Sequence, residues 1–361
     1  MQSTNTSKAN SSAIDAAEKP IYPFRSPPDP GCSFEVVPGI RWIRVAIPFT
    51  LDHVNAWAIR EADGWAIVDV GMCSEASKAA WRSVVERELD GLPVTRIFVT
   101  HSHTDHCGIA SWLAGEYGCP LWMTRLEYLH GRMARIEALE PVSTAAIDFY
   151  RLASWNDEDI DAHHSWLAAI EASAAELPGS YRRIQDGELI RIGDHDWRVI
   201  IGAGHSPEHA CFYCPDLKLL ISGDQVLPCI SSNVSVRPSE PDENPMEDWL
   251  ASMDKLRREV GDDVLVLPAH NDCFYGLHSR LNKLAASQLE ALDRIRVLLT
   301  SPRCVTDLFP ALFGRSISHS QTGLFGLATG EALACLNFLM HRGEVRRNLC
   351  EDGIWRFKLD Q

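Results

Sequence analysis

The sequence predicts an α+β fold built from two groups of strands, each giving way to helices. The first group is read at 34–37, 41–47, 54–59 and 65–70, where β-branched and aromatic residues run between turn residues. The second is read at 189–192, 197–201, 210–213 and 219–221. Between them, an apolar run at 94–99 reads as a buried strand and ends in His101-Ser102-His103-Thr104-Asp105-His106. Side chains at a strand's end are splayed by the following turn, so this group can converge on a common centre.

Taken in order, residues 1–20 are polar and rich in Ser, Ala and Asn. They lack the apolar core of a signal peptide and are expected to form a disordered tail. Residues 20–30 are proline-rich and read as an extended lead-in. Pro38-Gly39, Pro48 and Asp63-Gly64 separate the first strands, which predicts an antiparallel meander. Residues 74–89 have helical spacing, with Ser74 near the start and Trp81, Val84 and Val85 on the apolar face. A small-residue segment at 108–118 reads as the next helix.

Residues 120–186 are mostly helical by pattern, at 125–138, 143–154 and 157–176. Their aromatics (Trp122, Tyr128, Phe149, Tyr150, Trp155, Trp166) either line a cleft or pack this segment onto the main domain. His163 and His164 are adjacent on a helix and point in different directions, so they do not share an ion. Helix 246–258, strand 264–267 and helix 277–299 follow. From residue 300 the pattern changes to helices at 305–313 and 330–340 and strands at 344–347 and 354–358 around Glu351-Asp352-Gly353. That order resembles a winged helix. Its second helix has few basic residues, so a structural role is expected rather than DNA binding. The expected domains are thus the tail at 1–20, a main domain at 21–299 and a winged-helix-like module at 300–361.

The 361 residues are 45% hydrophobic, as in ordinary globular chains, and carry a net charge of -15. Such a charge opposes tracking of phosphate backbones and of anionic bilayers. No uninterrupted apolar run of about 18 residues is present, so no membrane-spanning helix is expected. Eleven cysteines without a repeated framework suggest reduced thiols and a cytoplasmic protein. Cys211 and Cys214 fall on one strand with an offset of three, hence on opposite faces, and read as core thiols.

Imidazole and carboxylate together suit zinc, iron or manganese, and the absence of cysteine donors argues against a purely structural zinc site. The stretch resembles the H-x-H-x-D-H signature of the metallo-β-lactamase superfamily. Four further segments resemble that family's other motifs: Ala66-Ile67-Val68-Asp69-Val70-Gly71, Gly204-His205-Ser206-Pro207-Glu208-His209, Ser222-Gly223-Asp224 and Leu267-Pro268-Ala269-His270. The resemblance covers residues 34–358 and is nearest to glyoxalase II-like hydrolases with a C-terminal winged helix. It implies an αββα sandwich, with 120–186 as a helical insertion. It also implies two divalent ions, zinc with iron or manganese as alternatives. His101, His103 and His205 would hold one ion and Asp105, His106 and His270 the other, with Asp224 bridging. Asp105 would also orient the attacking water, so Asp105 and Asp224 are the expected catalytic residues, while Asp69 would support the metal loop without binding metal.

The activity implied is hydrolysis of a carboxylic thioester, ester or lactone by metal-activated hydroxide. The alternatives on the same donor set are a metal-dependent nuclease and a di-iron oxygen-binding or sulfur-oxidising protein. The expected partner is a small acyl substrate, with neither nucleic acid nor membrane; a homodimer is left open. Several residues stand apart from the ligand set. Glu208 occupies a position where many relatives have glycine, and His209 is expected to have a structural role. His53 and Asn55 lie where early strands of relatives approach the site, either touching substrate or serving as strand-edge polar residues. Tyr213, four residues past His209, is a candidate electrophile toward a developing oxyanion.

Overall fold

The computed structural model describes residues 19–48, 50–172 and 174–360. Residues 1–18, most of the expected tail, lie outside the described residues. Strands β1 (Ser33–Val37), β2 (Ile40–Ala46), β3 (His53–Glu61) and β4 (Gly64–Val68) form the expected antiparallel meander. Helix α1 (Glu75–Arg87) returns the chain so that β5 (Val94–Phe98) pairs parallel to β4. Ser74 caps that helix by accepting the Ser77 N–H at 3.0 Å. Helices α2 (Thr104–Cys107) and α3 (Ala110–Tyr117) then lead to β6 (Leu121–Met123). Helices α4 (Arg125–Leu139), α5 (Thr144–Leu152) and α6 (Asp157–Ala172) precede β7 (Arg182–Arg183), which closes a seven-stranded sheet in sequential order.

A second sheet holds β8 (Leu189–Ile192), β9 (His195–Gly202), β10 (His209–Cys214), β11 (Leu219–Gly223) and β12 (Leu265–Pro268), in the order β12-β11-β10-β9-β8. Helix α7 (Pro245–Glu259) makes the crossover from β11 to β12, and α8 (Leu277–Leu298) follows. Alternation along the strands explains the layering, since successive side chains point to opposite faces. Trp57 and Ile59 of β3 pack with Trp197, Val199, Ala210 and Phe212 between the sheets. Val54, Ala56 and Ala58 of β3 face Trp81 and Val84 of α1 instead. On the second sheet, Cys211 faces the α7–α8 side and Cys214 the intersheet core, as their offset of three requires. The result is helix, sheet, sheet, helix.

After α8 come a 3-10 turn (Val305–Leu308), α9 (Phe309–Phe313), α10 (Thr322–His341) and the antiparallel hairpin of β13 (Val345–Leu349) and β14 (Trp355–Leu359). Helix α10 starts eight residues before the expected 330–340, because Gly323 and Gly326 are helix positions here. A Cβ on Gly323 would come within 2.5 Å of the Trp166 ring, and one on Gly326 would overlap the His163 ring. These glycines let α6 pack directly on α10, and that is where His163 and Trp166 belong. Helix α6 itself stops at Ala172, short of the expected 176. The remaining insertion aromatics also pack: Tyr128 stacks on Tyr181 at 3.9 Å, and Trp155 meets Phe325 at 4.8 Å. By length and composition α10 could cross a membrane, yet its apolar window is 67% buried within the protein, as a core helix is.

Candidate metal centre

The seven expected donor residues come together at one edge of the sandwich, where the C-terminal ends of β5, β11 and β12 and the loop before β10 meet. His101, His103, His205 and Asp224 form one donor group and Asp105, His106 and His270 a second. In the first, Nε2 of His101 is 2.9 Å from Nδ1 of His103 and 3.3 Å from Nε2 of His205. In the second, Oδ2 of Asp105 is 3.6 Å from Nε2 of His106 and 3.4 Å from Nε2 of His270. Asp224 touches both: Oδ2 is 3.5 Å from His205 and 3.6 Å from His106, while Oδ1 is 3.4 Å from His270.

Four of the five imidazoles are oriented by their other nitrogen. Nδ1 of His106 donates to Oδ2 of Asp69 at 2.9 Å. The Thr100 hydroxyl also donates to Asp69 Oδ2, at 2.8 Å, and so can accept Nδ1–H of His101 at 3.0 Å. Nδ1 of His205 donates to the Asn233 carbonyl at 2.7 Å and Nδ1 of His270 to the His53 carbonyl at 2.8 Å. Four rings are thereby fixed with Nε2 facing inward. Asp69 sits in the left-handed region (φ 59) and also accepts the Thr100 N–H at 2.8 Å, which anchors the whole loop.

Two buried polar atoms at this place, Nε2 of His106 and Oδ1 of Asp224, have no hydrogen-bond partner. An uncompensated buried polar atom costs about 1–3 kcal/mol, so two at one point need a reason. A divalent cation supplies one. Donors around a tetrahedral ion with bonds of about 2.0–2.1 Å lie about 3.3 Å apart, close to most of the separations found. Burial would raise the Asp105 carboxyl, but His106 and His270 overcome that and hold it at about 2. Asp224 is likewise held well below the usual carboxylate range despite burial, chiefly by His270 and His106. Burial and the neighbouring rings push His101 and His103 well below the ordinary histidine value, which keeps their lone pairs free. The donor set fits a pair of divalent cations.

Residues outside the expected ligand set hold these loops in register. His209 is fully buried, is lowered to about 3 by burial, and accepts the Asp224 N–H through Nε2 at 3.0 Å. Gly223 between them is at φ 51, and a Cβ there would lie 2.5 Å from the His209 ring, so both backbone and space require glycine. Nδ2 of Asn55 donates to the carbonyls of Pro268 and Asn271, at 2.8 Å each, and Nε2 of His53 accepts the Asn271 N–H at 3.0 Å. Both residues therefore brace the His270 turn. Tyr213 does not reach the centre: it stands four residues along β10 from His209, about 13 Å at strand rise, with Arg198 over its ring at 5.8 Å.

Three residues here are not signalled by any motif. Glu127 of α4 is fully buried; Oε2 accepts the Ser102 N–H at 2.9 Å and Oε1 the Glu208 N–H at 2.8 Å. The Glu208 side chain in turn accepts the Leu126 N–H at the start of α4, at 2.8 Å, which gives the glutamate a role at this position. Arg237 places Nη2 3.3 Å from Nε2 of His103 and Nη1 2.8 Å from Nε2 of His130, and His130 meets the Ser102 hydroxyl at 2.9 Å. Among the described residues no carboxylate pairs with this guanidinium. Asn233, whose carbonyl holds His205, gives its amide N–H to Glu331 of α10 at 3.0 Å, so the C-terminal helix is tied to the His205 ring through this residue.

A model of the metallo-beta-lactamase superfamily matches residues 49–270, and one of the metallo-beta-lactamase-like, C-terminal domain matches 292–360. The crystal structure of a beta-lactamase domain protein from Burkholderia ambifaria is 37% identical, with a TM-score of 0.86, over 96% of this chain and 100% of that one. Hydroxyacylglutathione hydrolase of Rhizobium etli is 25% identical over 149 residues, 41% of this chain and 40% of the relative. This chain thus spans less than half of that relative's length. Acyl-coenzyme A thioesterase MBLAC2 of Bos taurus is 26% identical over 262 residues, 70% of this chain and 84% of the relative.

Proposed function

Because the chain belongs to the metallo-beta-lactamase superfamily, we propose that it is a hydrolase of small acyl thioesters that works with two divalent ions, zinc by preference. The observation that carries this reading is Asp224, whose oxygens lie 3.4 to 3.6 Å from donors of both groups. In this reading His101, His103 and His205 would hold one ion and Asp105, His106 and His270 the other, with Asp224 placed to serve both. Divalent ions so held supply Lewis acidity and lower the pKa of water to about 7.

The protein's own groups then do the following. Asp105, kept ionised, accepts a hydrogen bond from the attacking water and sets its approach to the thioester carbonyl. With one proton of that water already released to solvent, its oxygen forms the C–O bond at the carbonyl carbon; the C–S bond then breaks with its electron pair on sulfur, and the thiolate leaves with little need of a proton donor. Arg237, with no carboxylate of its own, binds negative charge on the substrate at the rim. A thioester is favoured by two relatives, one named an acyl-coenzyme A thioesterase and one a hydroxyacylglutathione hydrolase. The net charge of -15 disfavours a polynucleotide. The same reading takes 21–299 as the catalytic domain and 300–361 as a winged-helix-like module that packs behind the site, in a cytoplasmic protein.

The test is a panel of acyl-coenzyme A thioesters, lactones, aryl esters and phosphodiesters, run with metal content and absorption spectrum on the same sample. Thioester turnover that disappears on chelation and returns with zinc is the expected result. Turnover of phosphodiesters alone would point to the nuclease, and a coloured iron centre without hydrolysis to the di-iron class. Full activity after exhaustive chelation would remove the proposal altogether.

A further inference from the structure

Helix α4 (Arg125–Leu139) is apolar on two faces. Its inner face buries Glu127, Tyr128 and Ala138 against the metal loop and the first sheet. Its outer face carries Leu126, Leu129, Met133, Ile136 and Leu139, which are 45%, 49%, 49%, 53% and 66% exposed. No other helix among the described residues shows such a face; α8, the longest, exposes only Leu289 and Val297. The first four follow at i, i+3, i+7 and i+10, the spacing of a seam that meets another helix rather than a flat surface.

We propose that this face pairs with the same face of a second copy of the chain, antiparallel across a two-fold axis. The ends of the helix choose the occupant. Arg125 is exposed at the N-terminus, while Glu137 and Glu140 are exposed at the C-terminus. An antiparallel copy sets Arg125 beside the partner's acidic end and opposes the two helix dipoles, whereas a parallel copy would set like charges together. In that register Leu126 meets Ile136 of the partner subunit and Leu129 meets Met133 of the partner subunit. Arg132, the other outward guanidinium, is drawn back over the Tyr128 ring at 5.6 Å and donates to its hydroxyl at 2.9 Å, so the middle of the seam stays apolar. A bilayer fits less well, because the acidic end and the net charge of -15 oppose an anionic surface.

The experiment is light scattering on the full metal-loaded protein across a dilution series. Wild type is expected to be a dimer at micromolar concentration. Leu129→Glu with Ile136→Glu should weaken association by about tenfold or more, since each loses most of a buried aliphatic contact, with circular dichroism and metal content unchanged. Should that variant misfold, the charges decide at exposed positions. Arg125→Glu is expected to weaken the dimer by about two- to fivefold, and adding Glu137→Arg and Glu140→Arg should restore it. A wild-type monomer at every concentration, a dimer indifferent to L129E/I136E, or flotation of monomers with phosphatidylcholine vesicles would each overturn the proposal.

Discussion

The carboxylate of Glu127 accepts the backbone N–H of Ser102 at 2.9 Å through one oxygen and that of Glu208 at 2.8 Å through the other. A side chain of the helical insertion thus ties the first histidine loop to the third. Replacing it with glutamine swaps one acceptor for an N–H2 group, which then faces a backbone donor inside the protein. Glu127→Gln is expected to fold, to lower turnover by about 10- to 100-fold, and to weaken metal binding similarly, the usual cost of losing an outer support of a metal site. Turnover and a zinc titration on the same preparation measure it. Unchanged values would show that the loops hold each other without α4.

Four of the donor residues were legible because their spacing is local: three imidazoles and a carboxylate on one turn cannot be core by accident, whereas His205, Asp224 and His270 were reached only through the family resemblance. Strands were legible from alternation, and the two-sided burial of β3 and β10 follows from it. Glu127, Asn233 and Arg237 were not legible. Each acts through backbone groups or rings far away in the chain, and a glutamate in an amphipathic helix looks like any solvated one until its neighbours are placed. Tyr213 was misread for the complementary reason: proximity in sequence along an extended strand is distance in space. The first turns of α10 were missed because glycine costs about 1 kcal/mol in a helix, a penalty that close packing of α6 here outweighs.

That competition can be tested at Gly326. Helix propensity alone makes Gly326→Ala stabilising by about 1 kcal/mol. The added methyl, however, would occupy the space of the His163 ring, and overpacking of this kind costs about 1–3 kcal/mol. The balance predicts net destabilisation, read as a lower Tm and a lower urea midpoint. A more stable variant would mean that α6 can shift away from α10 freely.

Asp224→Asn keeps the shape of the bridge but removes its charge and one anionic donor oxygen. Both donor groups should lose affinity together, and metal content after dialysis should fall below two equivalents per chain. Turnover should drop by more than about 100-fold, beyond the range for outer supports. Metal analysis and steady-state assay provide the check; two retained equivalents with normal turnover would show that Asp224 is not shared.

Glu331 gives a pH signature separate from the metal groups. Burial pushes its carboxyl up to about 7 from the ordinary 4.5, against a lowering effect of its hydrogen bond from Asn233. A carboxyl raised in the folded state is still protonated where the unfolded chain has already ionised. The folded state therefore loses stability as pH climbs from about 4.5 to about 7, and the loss is complete above that range. Glu331→Gln has no proton to lose and can still accept the Asn233 N–H. Its stability relative to wild type should be near zero at or below pH 4.5 and should rise to on the order of 3 kcal/mol at pH 8. Urea unfolding of both proteins at the two pH values isolates the effect, because the remaining charges are common to both. A difference that does not change with pH would mean that Glu331 is ionised in the folded protein throughout, with the Asn233 contact sufficient to keep it so.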